Sequence, residues 1–153
     1  MPLPARHAEM ATEGSSNTRR LRSFLQPADK AFPMVATRDV GQLAAAFVRE
    51  EWSGTRVVEL EGPVRVSPND LAQNFSNVLA RPVTVEIVPH EDWEWIFRAQ
   101  GMNNPLPRIR MLDGFNEGWI EFHDRGLSAI KGTTALESVI AELVNANQAK
   151  ASA

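Results

Sequence analysis

The order of apolar and polar residues between positions 32 and 63 predicts a strand, a helix and a second strand. An apolar run at 34–36 follows Pro33 and predicts a short buried strand, because proline is tolerated at the start of a strand. Residues 57–61 predict the second strand, with Val58 and Leu60 on one face. Elements in this order predict a parallel α/β unit.

The helix of this unit has one apolar face. Its apolar residues recur at positions i, i+3, i+4, i+7 and i+8, and they are Val40, Leu43, Ala44, Phe47 and Val48. Thr37 is expected to cap the first turn with its hydroxyl, and Asp39 places a negative charge where the helix dipole favours one. We expect the helix to end near Glu51.

Residues 64–148 predict a smaller mixed α/β lobe. Ser67 and Asp70, with a proline between them, form a strong helix start. Residues 83–87 alternate between apolar and polar, which is typical of a half-buried strand. A helix rich in aromatic residues is then expected from His90 to Gln100.

Two later segments also have helical spacing. The segment 108–122 is interrupted by Gly114 and Gly118, which predicts either a bent or partly broken helix or a face that needs close approach. Thr134 and Glu137 form a potential capping box, and the most regular apolar face of the chain follows it.

Composition narrows the class of protein. The chain has 153 residues, 43% of them hydrophobic, which is enough for one domain with a core. The net charge of −3 comes from scattered residues and indicates neither nucleic acid nor a membrane surface as a partner. The absence of cysteine excludes disulfides and permits a reducing compartment. We expect a cytoplasmic protein without a secretory signal.

The same patterns divide the chain into three parts. Residues 1–23 contain few large apolar groups and are expected to form a flexible arm. Residues 24–148 hold the predicted helices and strands and are expected to form the domain. Residues 149–153 are expected to be a disordered tail.

Five sequence blocks resemble the C-terminal part of NmrA-like NAD(P)H-binding proteins, which are atypical short-chain dehydrogenase/reductase relatives. The resemblance covers about residues 24–148 and keeps the order of the family. The blocks are P-M-V-A-T-R-D-V-G at 33–41, R-V-V-E-L-E-G-P at 56–63, S-P-N-D-L-A at 67–72, D-G-F-N-E-G at 113–118 and K-G-T-T-A-L-E-S-V-I-A-E-L-V at 131–144.

The resemblance implies a fold and a function. Residues 33–61 would correspond to the last strands and helix of a Rossmann unit, and residues 64–148 to the substrate lobe that closes over nicotinamide and substrate. The family's N-terminal strand, Gly-rich phosphate turn and helix are missing from this sequence. The chain also has no tyrosine to serve as a general acid. We therefore expect a small-molecule binding domain that binds NADPH only with a partner chain that supplies the Gly-rich half.

The sequence does not assign a catalytic residue. His90, with its carboxylate neighbours, could act as an acid/base pair, but adjacent residues on a helix do not face one another, which favours a solvated helix N-terminus. His123 and Asp124 form a similar pair. The spacing of the three histidines does not predict a metal site, and we expect none.

The substrate cleft is predicted from the resemblance and from aromatic residues that could line an apolar pocket. Helical spacing also allows these aromatic residues to be core residues, and that interpretation is favoured. The predicted cleft residues are Met34, Val35, Thr37, His90, Trp93, Met111, Phe115 and Asn116.

Two other functions remain open. The chain could be a redox-linked regulatory domain that binds other proteins, as the resemblance also implies, or a truncated remnant without a function of its own. Without a Rossmann core, residues 57–61 and the apolar face of the helix at 39–50 would be uncovered. We therefore expect a homodimer or a hetero-complex.

Overall fold

The computed structural model describes residues 18–151, and within them five α-helices and four short strands form a mixed α/β fold. The α/β class predicted from the sequence is confirmed at this level. Residues 1–17 of the predicted arm and residues 152 and 153 of the predicted tail lie outside the described part. The strands are β1 (Arg19–Ser23), β2 (Leu60–Glu61), β3 (Val83–Ile87) and β4 (Ile130–Lys131). The helices are α1 (Thr37–Phe47), α2 (Pro68–Leu79), α3 (Trp93–Ala99), α4 (Leu106–Glu117) and α5 (Leu136–Ala151).

The strands form two parallel pairs. β1 pairs with β3 from Arg19 opposite Val83 to Ser23 opposite Ile87. β2 pairs with β4 over two residues. The expectation that residues 19–23 belong to the arm is therefore wrong, because β3 supplies the backbone partners that their own weak apolar pattern could not indicate. The expected tail is also helical as far as Ala151.

The predicted strand–helix–strand unit forms only in part. Residues 34–36 are not a strand, and the neighbouring pairing is a single antiparallel bridge between Phe32 and Val66. Gly62 N donates to Met34 O at 2.7 Å, so this segment contacts β2 through one hydrogen bond rather than a ladder. Of residues 57–61 only the last two are a strand, and their partner is β4.

The core lies around α3. Its buried residues are Val88, Trp93, Ile96 and Phe97, against which Phe24, Met102, Ile109 and Leu112 pack. Trp93 and Phe97 are 0% exposed, and the indole Nε1 of Trp93 donates to Val88 O at 2.9 Å. The residues that follow β1 and β3 and the residues of α4 therefore pack on one core around α3.

Helix α2 begins as the sequence predicts. Ser67 Oγ accepts from Asp70 N at 3.1 Å, and Asp70 Oδ2 accepts from Ser67 N at 2.9 Å, which completes the capping box. The hydrogen bond from the Ser67 hydroxyl lowers the pKa of Asp70. β3 forms over the predicted residues, and α3 follows a 3-10 turn at His90–Asp92.

Helix α4 runs through Gly114 without a break and ends at Gly118, which has a φ of 89°. Gly114 is buried, and a Cβ there would clash with the side chain of Ile120. Close approach is therefore confirmed for Gly114, and the predicted helical segment 108–122 is broken at Gly118 rather than at Gly114.

Candidate functional site

Helix α1 is attached to the rest of the fold through its first turn. Ala36 is the residue that precedes the helix and makes no side-chain cap, so the predicted cap by Thr37 is wrong. Asp39 is buried instead, and it accepts hydrogen bonds from Thr134 N at 3.0 Å and Thr134 Oγ1 at 2.6 Å. The hydrogen bond from the Thr134 hydroxyl is the main reason that the pKa of Asp39 is lowered. Gly132 leaves room for this carboxylate, because a Cβ there would overlap it.

A second contact joins the same turn to α5. Arg38 Nη2 lies 2.8 Å from each carboxylate oxygen of Glu142. Both side chains are more than half exposed, so this ion pair contributes little to stability. Polar contacts thus hold the start of α1 in place.

The apolar face of α1 forms one wall of an open cleft of about 590 Å³. The facing wall consists of residues 56–60 together with Phe122. The lining residues are Val40, Leu43, Ala44, Phe47, Arg56, Val58, Glu59, Leu60 and Phe122. Seven of these nine side chains are apolar, so the cleft suits an apolar guest rather than a polar one.

The two charged lining residues are both engaged. The guanidinium of Arg56 lies 4.5 Å from the centroid of the Phe47 ring and 2.8 Å from Glu50 Oε2. Glu59 Oε1 accepts from His123 N at 2.8 Å. The guanidinium of Arg56 thus lies beside an aromatic ring and is paired with a carboxylate, and Glu59 adds a second charged group to a largely apolar lining.

Below this wall lies a buried carboxylate. Glu61 is 2% exposed and contacts two cations, Arg65 at 3.0 Å and Lys131. Arg65 also donates to both carboxylate oxygens of Glu121, at 2.8 and 2.9 Å. The hydrogen bond from Arg65 is the main reason that the pKa of Glu121 is lowered. Paired in this way, the Glu61 carboxylate can be buried, since an unpaired charge could not be.

The same arginine holds the turn that follows Phe122. Asp124 and Arg125 have φ values of 47° and 58°, which non-glycine residues rarely adopt, and Gly126 follows with 79°. Arg65 Nη2 donates to Arg125 O at 2.8 Å. Ser128 donates to the Asp124 carboxylate, which lowers the pKa of Asp124. Arg65 thus binds the chain on both sides of Phe122, at Glu121 and at Arg125, and so helps to hold Phe122 in the cleft.

Two predicted cleft residues, His90 and Trp93, are in contact, but His90 is exposed and only Trp93 belongs to the core. Their ring centroids are 4.5 Å apart, and His90 Nε2 is 2.9 Å from Asp113 Oδ1. Trp93 is wholly buried, so it is a core residue. The His90–Asp113 pair joins the turn before α3 to α4.

The three predicted residues before and at the start of α1 lie beside β2. Met34 is half-buried, and its carbonyl accepts from Gly62 N. Val35 and Thr37 are exposed. All three precede the first cleft residue of α1, Val40, and none of them lines the cleft.

Two of the predicted residues of α4, Phe115 and Asn116, form hydrogen bonds with residues 24–30. Asn116 clamps residues 24–26, because its Nδ2 donates to Phe24 O at 2.9 Å and its Oδ1 accepts from Gln26 N at 3.0 Å. The carbonyl of Phe115 accepts from Lys30 Nζ at 2.8 Å. Met111 is exposed on the same helix. None of the eight predicted cleft residues lines the cleft beside α1.

Sequence reasoning identified part of the observed cleft. Val40, Leu43 and Phe47 were expected to form an uncovered apolar face, and they do line the cleft. Phe122 and Arg56 were missed because their place depends on contacts across the fold. The buried Glu61 gave no signal either, since its two cations lie 4 and 70 residues away along the chain.

No protein-family model matches the chain, and no curated protein matches it. In the part of the chain that the structure describes, no helix is long and apolar enough to cross a membrane. The same residues contain no group of three or more histidines or carboxylates that could hold a metal ion.

Proposed function

We propose that this protein is a small-molecule binding domain of the NmrA-like, Rossmann-derived type, and that its ligand occupies the cleft between α1 and residues 56–60. The observation that carries the proposal is the cleft itself, whose volume of about 590 Å³ lies within the usual range for ligand pockets. The resemblance of residues 64–148 to the substrate lobe of that family supports small-molecule binding in general. The cleft itself is formed mainly by residues 40–60, which correspond to the Rossmann unit in that resemblance.

The lining suggests the class of ligand. Phe47 and Phe122 offer aromatic surface, and the aliphatic side chains beside them offer no hydrogen bonds. Arg56 presents a guanidinium beside Phe47. A flat, apolar molecule with an electron-rich edge, such as a quinone, fits these groups.

Binding of a dinucleotide requires a phosphate site that the cleft does not contain. A Gly-rich phosphate turn is missing from the sequence, so NADPH would be bound only with a partner chain that supplies it. The domain is accordingly proposed to be inactive as an oxidoreductase by itself. A cytoplasmic location is proposed on the separate ground that a sequence without cysteine is compatible with a reducing compartment. Thermal denaturation with NADPH should show no shift for the chain alone.

Ligand binding is tested with menadione, a flat naphthoquinone. At about 100-fold excess over its dissociation constant, a ligand stabilises the folded state by about 2.7 kcal/mol, or on the order of 5–10 °C in Tm for a chain of this size. Isothermal titration calorimetry gives the affinity directly.

A pair of variants locates the site. Ala44→Trp fills the cleft from an exposed position of α1 and should abolish the shift. Gln42→Trp places the same side chain on the opposite side of α1 and should leave it unchanged. Equal binding by both variants would place the ligand elsewhere, and no binding of menadione by the native chain would remove the support for a quinone-like ligand.

A further inference from the structure

We propose that Arg56 selects the ligand of the cleft by charge, and that the ligand is a flat aromatic molecule that carries a carboxylate. This inference rests on the proposed function, because it names a chemical group of the molecule that occupies the same cleft. In the structure Glu50 is the carboxylate partner of Arg56. Binding of the ligand exchanges this internal carboxylate for that of the ligand.

The first argument is the position of Arg56. Arg56 and Phe47 both line the cleft, and the guanidinium lies 4.5 Å from the centroid of the phenyl ring. This cation–π contact restrains the guanidinium independently of Glu50. An aromatic ligand that packs on the apolar wall therefore meets a cation that is already in place. A restrained side chain loses less conformational entropy when it binds an anion.

The second argument is the set of donors on Arg56. A guanidinium carries several N–H groups in a fixed plane and can bind both oxygens of one carboxylate. Arg65 does so with Glu121, through Nη1 and Nη2. Among the described residues, the hydrogen bond from Arg56 to Glu50 uses Nη1 alone, at 2.8 Å from Oε2. Arg56 thus keeps donors for a carboxylate that enters the cleft.

The third argument is the weakness of the internal pair. The side chains of Arg56 and Glu50 are 47% and 48% exposed. An ion pair this exposed contributes little, because water competes for both charges. Glu50 does not line the cleft and follows the end of α1. Its carboxylate can therefore return to water when another carboxylate binds Arg56.

Glu59, the other charged residue of the lining, sets the orientation of the ligand. Its Oε1 accepts from His123 N at 2.8 Å, so this carboxylate is held beside the residue that follows Phe122. A ligand carboxylate near Glu59 would be repelled, whereas one near Arg56 would be attracted. We therefore expect the carboxylate of the ligand beside Phe47 and its ring toward Phe122.

Two probes of equal shape test the selection by charge. Naphthalene-2-carboxylate and naphthalene-2-carboxamide share one ring system, and only the first is charged at neutral pH. By isothermal titration calorimetry we expect the native chain to bind the carboxylate roughly fivefold more tightly, as suits an exposed ion pair. In Arg56→Gln the order should reverse, because a carboxylate without a cation loses more hydration free energy than an amide does.

The matched control is Arg38→Gln. Arg38 is an exposed arginine of α1 that is paired with Glu142 and does not line the cleft. This variant removes the same charge from the same helix and should keep the native order of the two probes. Equal losses in Arg38→Gln and Arg56→Gln would mean that net charge alone favours the carboxylate, which would overturn the proposal.

Glu50→Gln tests the exchange of carboxylates. The variant removes the internal competitor, so it should bind naphthalene-2-carboxylate roughly fivefold more tightly than the native chain and the carboxamide with unchanged affinity. Weaker binding of the carboxylate would show that Glu50 holds Arg56 in position instead of competing with the ligand. That result would overturn the exchange.

Menadione and the carboxamide separate this inference from the proposed function. If the native chain binds menadione and binds both naphthalene probes with equal affinity, the cleft is a site for flat ligands without selection by Arg56. The present inference is then overturned and the proposed function stands. If menadione and both naphthalene probes fail to bind, both proposals fall.

Discussion

Helices α1 and α3 are both amphipathic, and only α3 buries its apolar face. Trp93 and Phe97 of α3 are fully buried, whereas Val40 of α1 is 45% exposed. The difference lies in what surrounds each helix. The residues that follow β1 and β3 and helix α4 all contribute side chains to the core around α3. α1 faces an extended segment of which only two residues form a strand. The apolar face of a helix thus predicts which side can be buried. Whether that side is buried depends on the elements that pack against it.

The sharpest form of this comparison is a pair of truncations. Trp93→Ala should lower the free energy of unfolding by about 3–5 kcal/mol, because it removes a fully buried indole and its hydrogen bond to Val88. Phe47→Ala should cost less, about 1–2 kcal/mol, since the ring is only half-buried and packs against the exposed Arg56. Urea unfolding of the monomer measures both.

If Trp93→Ala does not fold, Trp93→Phe is the substitute, because it keeps most of the apolar volume. It should still be destabilised more than Phe47→Ala. Equal costs at the two positions would mean that α1 is packed as tightly as α3, and the comparison would fail.

Two glycines test the same contrast with a smaller effect. Gly114→Ala adds a methyl group where the Ile120 side chain already lies, so we expect a loss of about 1–3 kcal/mol. Gly41→Ala adds the same methyl group in open space within a helix, and we expect a gain of up to about 1 kcal/mol. Thermal denaturation at low concentration measures the folding of single chains. A destabilised Gly41→Ala would show that the exposed side of α1 is already in contact with another part of the chain.

These positions also show what the sequence could predict. Local signals were sufficient for β3 and for the capped start of α2, because a strand alternation or a capping box lies within a few residues. Pairing across the fold was not predictable from such signals. β1 has one half-buried apolar residue, Leu21, and its strand depends on β3, 64 residues away.

The same limit explains the candidate site. The apolar face of α1 was evident from its spacing, but Asn116 gave no sign that it would bind the backbone at residues 24 and 26. The residues predicted to form one cleft therefore include a core residue, Trp93, an exposed residue, Met111, and Asn116, which binds the backbone. The observed cleft combines one predicted face with residues that only the folded chain brings near.

The smallest effect concerns the polar attachment of α1, and it should depend on pH. The folded state lowers the pKa of Asp39 through Thr134, so ionised Asp39 stabilises the fold above the unfolded pKa of about 3.9. That contribution disappears as the pH falls through the lower, folded pKa. Asp39→Asn should therefore be less stable than the native chain at neutral pH, and the gap should close in acid. Asp29→Asn, which removes a carboxylate from a turn, is the control.

Amide hydrogen exchange shows where the stability is lost. Because Asp39 holds only the start of α1, Asp39→Asn should speed exchange in residues 37–47 and leave α3 protected as before. Faster exchange in both helices would mean that α1 and the core unfold as one unit. Helices α1 and α3 would then differ in exposed apolar surface but not in local stability.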